Sequence, residues 1–278
     1  MDCRKRCFLI PREIQLIEDV NSEFKSWRSY FDFAGATKYQ RRYIRDLDTD
    51  RFLGTVLSTS KGRERPIPKE TIFWRSQLGY DLEPVDVDGE HISELPRAFR
   101  FGRMKPVPGE AKEGRANPKG IPYLYVATQK ETALSEVRPW VGSSISRAQV
   151  KILRDVVVID CSMKHPSESF YLDKPDPEKK ESAVWSDIDR AFSEPVTPSD
   201  GVADYVPTQI IAEVFRTNGF DGIAYRSRFG KKGFNVALFD LAIAEVINCS
   251  LYEAKDLSFY FEQSGNTHFS KKHSDTLR

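Results

Sequence analysis

Apolar side chains recur three and four positions apart at Ile14, Ile17, Val20, Phe24, Trp27 and Phe31, which predicts an amphipathic helix over residues 12–31. A second helical stretch is expected from Tyr39 to Leu57, with Ile44, Leu47, Leu53 and Val56 turned inward. Arg41, Arg42 and Arg45 alternate there with Asp46, Asp48 and Asp50, as on a solvated face. Residues 58–68 are polar and carry two prolines, so a boundary is placed there and residues 1–65 read as a helical N-terminal extension. From Thr71 the pattern shortens to that of strands. Strands are expected at Thr71–Arg75, Pro122–Ala127, Asp155–Asp160, Gly222–Ser227, Asn235–Asp240 and Ala244–Tyr252. In the second of these, Tyr123, Tyr125 and Ala127 share one face and Leu124 and Val126 the other.

Between those strands the helical signals are short. Thr128 and Glu131 fit a capping box opening a helix that ends at Arg138, before Pro139, with Ala133, Leu134 and Val137 buried. Further helices are expected over Glu181–Ala191 and Pro207–Asn218, the latter closed by Gly219. Residues 80–118 carry Pro96, Pro106, Pro108 and Pro118 without clear periodicity and read as a long loop-rich tract suited to binding. Residues 66–262 thus form the main domain, and the polar residues 263–278 a disordered tail. With no repeat and no regular βαβ alternation, the fold class is α+β.

Composition narrows the function without choosing it. The 278 residues are 40% hydrophobic and 30% charged with a net charge of +1, so no basic field points to nucleic acid as a direct partner. The longest apolar stretches are too short to span a membrane, and Phe8-Leu9-Ile10 is cut off by Pro11. Four irregularly spaced cysteines (Cys3, Cys7, Cys161, Cys249) suggest reduced thiols and a cytoplasmic setting; Cys3 and Cys7 lack the second ligand pair of a zinc knuckle. The chain has no G-x-G-x-x-G after a strand, no P-loop and no H-E-x-x-H. Its histidines are His91, His165, His268 and His273, which leaves Arg, Tyr, Glu and Ser as the residues for chemistry.

Residues 114–137 concentrate them: G-R-A-N-P-K-G-I-P-Y-L-Y-V-A-T-Q-K-E-T-A-L-S-E-V. Arg115 precedes Tyr125 by ten positions and Glu136 follows it by eleven. A strand rising about 3.3 Å per residue and a helix rising about 1.5 Å can bring the three to one cleft. A guanidinium suits a bidentate phosphate contact, and a ring suits a planar base. Glu131 lies about 140° around the helix from Glu136, so the two are no acid–base pair. A lone carboxylate matches cleavage of a bond to an already cationic leaving group, where charge grows on a sugar.

This segment resembles the centre of the RES domain, named for its Arg, Glu and Ser residues. Phe73-Trp74-Arg75 resembles the family's opening strand with its first arginine. Gly222-Ile223-Ala224-Tyr225-Arg226-Ser227 resembles the serine segment, and Asn235-Val236-Ala237-Leu238-Phe239 the closing N-x-x-L-F strand. Ala116 departs from the family pattern, where an aromatic often follows the arginine. The resemblance spans about residues 70–245 and implies an ADP-ribosyltransferase-like split β-sheet core. It implies an enzyme that consumes NAD⁺ as substrate, with no retained cofactor and no metal, by splitting the nicotinamide–ribose bond as a glycohydrolase or phosphorylase. It further implies a bacterial toxin silenced by an antitoxin partner with a helix-turn-helix, and leaves room for a homodimer. Carried over by position, Arg115, Tyr125 and Glu136 are the catalytic set, while Arg75, Ser227 and Asn235 bind substrate. Transfer of ADP-ribose to a protein, and a non-catalytic regulatory module that keeps the shape alone, are the alternatives.

Overall fold

A computed structural model describes residues 23–88, 90–164, 176–194, 202–229, 233–258, 261–263 and 265. In chain order the elements are α1 (Ser29–Tyr39), α2 (Leu47–Thr59), β1 (Glu64–Ile67), β2 (Ile72–Leu78), β3 (Asp81–Val87), β4 (Glu90–Arg97) and β5 (Leu124–Ala127). They continue with α3 (Lys130–Glu136), β6 (Ser144–Ile152), β7 (Val156–Asp160), α4 (Pro177–Ser193), α5 (Val206–Thr217), β8 (Gly222–Arg226), β9 (Phe234–Leu238) and β10 (Ala244–Glu253). A 3₁₀ turn at Val202–Tyr205 leads into α5. The α+β class expected from the sequence is the one observed.

Eight strands make one sheet in the order β1-β7-β8-β9-β5-β2-β6-β10. Only β7 and β8 run parallel; the other neighbours are antiparallel. β5 and β2 share a single register pair, Trp74 with Ala127. Beyond it the two strands part, so the sheet is split into a β1-β7-β8-β9-β5 half and a β2-β6-β10 half. Leu124 and Val126 of β5, Val236 and Leu238 of β9, and Val156 and Val158 of β7 share one apolar cluster with Phe73 of β2 and Val150 and Ile152 of β6. That face of the sheet therefore closes on itself. The opposite face carries the helices. Tyr123, Ile223, Tyr225 and Ala237 join Trp185, Ile188 and Phe192 of α4 and Ile211 and Phe215 of α5.

The N-terminal helices belong to this second cluster, through Tyr30, Phe33 and Ala34 of α1 and Phe52, Leu53 and Val56 of α2. Phe33 and Phe52 stack at 4.5 Å. The periodicity reading is corrected here. The helix expected over Tyr39–Leu57 starts only at Leu47, where Asp46 accepts from the Thr49 N–H at 2.9 Å and caps α2; Ile44 and Leu47, expected inward, are exposed, while Leu53 and Val56 are buried. Of the helix expected over 12–31, residues 12–22 lie outside the described residues; α1 begins at Ser29. Arg45 pairs with Asp50 at 2.9 Å on the solvated side, as the alternating charges suggested.

The tract expected to be loop-rich contains the β3–β4 hairpin, a separate two-stranded sheet. All of β4 is exposed, which is why alternation did not reveal it. β6 was likewise not expected, its apolar positions being interrupted by Arg147 and Lys151. Leu124/Val126 and Tyr123/Tyr125 do fall on opposite faces. The capping box does not form: Gln129 is the N-cap of α3, and Thr128 Oγ1 instead accepts the Phe234 N–H at 3.0 Å. The helix ends at Glu136 rather than Arg138, and Arg138 takes φ +48°. Among the described residues, no helix is long and apolar enough to cross a membrane.

Candidate functional site

Where β5 and β2 diverge, a cleft of about 450 Å³ opens on the helical face. Its lining brings together Arg75 of β2, Arg115, Tyr125 of β5, Glu136 at the end of α3, and Asn235 of β9. Glu136 is the anchor of this arrangement. Its Oε1 accepts from Ser227 Oγ at 2.7 Å and from Asn235 Nδ2 at 2.5 Å. Both bonds fall on one oxygen, so Oε2 remains for a ligand. Ser227 Oγ also accepts from the Phe229 N–H at 3.1 Å, and the Ser227 N–H donates to Gly233 at 3.0 Å. The residues expected as substrate binders at 227 and 235 thus grip the carboxylate and fix its direction.

Parting the strands frees backbone groups that a continuous ladder would satisfy. Arg75 takes up one of them, its Nη1 donating to the Tyr125 carbonyl at 2.8 Å. The guanidinium is buried, its Nε has no partner, and among the described residues no carboxylate lies within ion-pair distance. Burial lowers its pKa to about 10, so it stays cationic at neutral pH. An uncompensated buried cation beside a cleft is costly unless an anion arrives.

Arg115 sits on a loop built by its neighbours. The Tyr125 hydroxyl donates to Asn117 Oδ1 at 2.7 Å and accepts the Ala116 N–H at 3.0 Å. Asn117 Nδ2 lies 2.9–3.1 Å from the carbonyls of Lys112, Pro118 and Ile121. From α5, Gln209 Nε2 lies 3.0 Å from the Gly114 carbonyl and 3.1 Å from that of Asn117. A Cβ on Gly114 would stand 2.6 Å from both Asn117 Oδ1 and the Tyr125 hydroxyl, so only glycine lets the loop close on the strand. Tyr125 therefore does more than present a ring: its phenol, whose pKa burial raises, ties the arginine loop to the sheet.

Tyr225 is the residue that sequence reasoning missed. It lies on β8, lines the cleft, and its phenol is pushed up to about 12, first by burial and further by Glu136, against the opposing pull of Arg115. Its segment was quoted for Ser227, but an aromatic inside an apolar strand reads as core. Asn117, also unremarked, carried a fainter signal: a polar side chain within a loop rich in turn residues. Trp74, Arg138 and Tyr205 also line the walls.

Residues 91–262, more than half of the chain, match the model of the RES domain. The chain belongs to the RES family. Among solved structures, a chain of the M. tuberculosis MbcT–MbcA toxin–antitoxin complex matches at 12% identity and a TM-score of 0.37, over 72% of this chain and 92% of that one. No curated protein matches. The RES match begins inside the β3–β4 hairpin, so α1, α2, β1 and β2, including Arg75, lie upstream of it. At the point of departure from the RES pattern, Ala116 is fully buried and its N–H serves the Tyr125 hydroxyl, so the loop closes without an aromatic there.

Proposed function

We propose that this RES protein is an NAD⁺-consuming enzyme that splits the nicotinamide–ribose bond in the split-sheet cleft. The observation that carries the reading is the Glu136 carboxylate, held by Ser227 and Asn235 through one oxygen, in a cleft that also holds Arg75 and Arg115, neither of which pairs with a carboxylate among the described residues. The two guanidiniums suit the pyrophosphate. The free Glu136 oxygen accepts from a ribose hydroxyl and faces the positive charge that grows at the anomeric carbon. The carbon–nitrogen bond breaks with its electron pair going to nicotinamide, which leaves neutral. Water then adds to the sugar cation and gives up a proton, or phosphate adds in its place. The Tyr125 and Tyr225 rings supply apolar walls for the base. Loss of cellular NAD⁺ would make such an enzyme a toxin, and an antitoxin partner is part of this proposal.

The test is nicotinamide release from NAD⁺ by the purified protein. Glu136→Gln keeps the shape and the hydrogen bond to Ser227 but removes the charge, and should lower kcat by about 10²–10³. A folded wild type that releases no nicotinamide would overturn the proposal.

A further inference from the structure

Helix α1, ahead of the RES match, is tied to a segment that forms part of the cleft wall. Lys38, in the last turn of α1, pairs with Asp204 at 2.7 Å, with both side chains about two-thirds or more buried (22% and 32% exposed). Asp204 immediately precedes Tyr205, which lines the cleft. The turn they share runs directly into α5, whose Gln209 is buried and holds the carbonyls of Gly114 and Asn117 on either side of Arg115. α1 also packs on α5 within the shared apolar cluster.

We propose that α1 is a positioning element of the active cleft, acting through the Lys38–Asp204 pair to set Tyr205 and, through α5 and Gln209, the arginine loop. Lys38 itself does not touch the cleft. It is a positioning residue for substrate capture, and this inference rests on the NAD⁺ reading of the site above. Tyr205 and Arg115 stand on opposite ends of one rigid path: a short turn, one turn of helix and a buried amide. An ion pair that seats the turn therefore sets the geometry with which the cleft receives its ligand, while Glu136 on α3 is held separately by Ser227 and Asn235. The expected signature is a change in KM with kcat preserved.

The experiment compares full-length Lys38→Glu, Lys38→Arg and the exchanged pair Lys38→Glu/Asp204→Lys with wild type. Lys38→Glu sets two carboxylates against each other and should raise KM for NAD⁺ about three- to tenfold with kcat within about twofold. Lys38→Arg and the exchanged pair should return KM to near the wild-type value. Amide hydrogen exchange, read without any substrate, should speed up in Lys38→Glu at residues 202–209 and 114–117 while residues 124–136 stay unchanged. If wild type fails to release nicotinamide, the NAD⁺ reading falls and the exchange result alone decides the coupling. If exchange at 114–117 does not respond, or if KM fails to recover in the exchanged pair, the positioning role is overturned.

Discussion

Single side chains do most of the arranging at this site. Asn117 uses both ends of its amide, the nitrogen on loop carbonyls and the oxygen on the Tyr125 hydroxyl. Asn117→Ala strands a buried phenol and several carbonyls; the expected loss is about 1–3 kcal/mol of stability with a raised KM, checked by denaturant unfolding and nicotinamide release. A second residue gives a pH test. Burial raises the Asp187 carboxyl from its ordinary 3.8 to about 6, although Arg190 donates to it at 2.5 Å. Its proton is held more firmly when folded than when unfolded, so its contribution is full below about pH 4 and is lost as pH rises through 6. Relative to Asp187→Asn, wild type should therefore lose thermal stability between pH 4 and 6, measured as the difference in Tm. At this scale the sequence was informative where chemistry and motif coincided. Arg75, Arg115, Tyr125, Glu136 and Asn235 do line one cleft, and Ser227 reaches it through Glu136. Tyr225 escaped notice because a buried strand aromatic serves the core and the cleft with the same pattern.

Elements were legible in proportion to how much apolar surface they bury. α5 carries a run of buried residues and β5 packs on both faces, and both were anticipated closely. The β3–β4 hairpin is wet on both faces, and β1 has only four residues, so neither writes a period into the chain. The Thr128 signal was real but local, and tertiary structure overrode it: the hydroxyl went to β9 instead of its own helix. That same contact region explains how α3 is seated. A Cβ on Gly233 would overlap the Thr132 side chain, so bare backbone is what lets α3 lie against the start of β9. Gly233→Ala should push α3 outward and carry Glu136 with it. Since Asn235 stays on β9 and Ser227 just past the end of β8, the prediction is a fall in kcat of about tenfold or more at little change in fold, read by kinetics beside circular dichroism.

Over the whole molecule, one apolar cluster joins α1 and α2 to α4, α5 and the sheet. The N-terminal helices and the cleft-bearing part should therefore unfold together. Phe52→Ala, in the middle of that cluster and stacked on Phe33, is expected to cost about 3–5 kcal/mol and to shift every spectroscopic probe by the same amount. A separate early transition for the N-terminal part would contradict it. No local pattern announced this union, because the packing of α1 on α5, so distant along the chain, is a property of the folded chain alone.

The single rung between Trp74 and Ala127 has one more consequence. A β-sheet joined so sparingly behaves like a book held by one stitch, with Arg75 as a loose thread tied to the Tyr125 carbonyl. An oxyanion clasped between its two covers would act as a rivet. Inorganic pyrophosphate at a hundred times its dissociation constant should then protect the protein by about 2.7 kcal/mol against heat, and Arg75→Gln should abolish that protection.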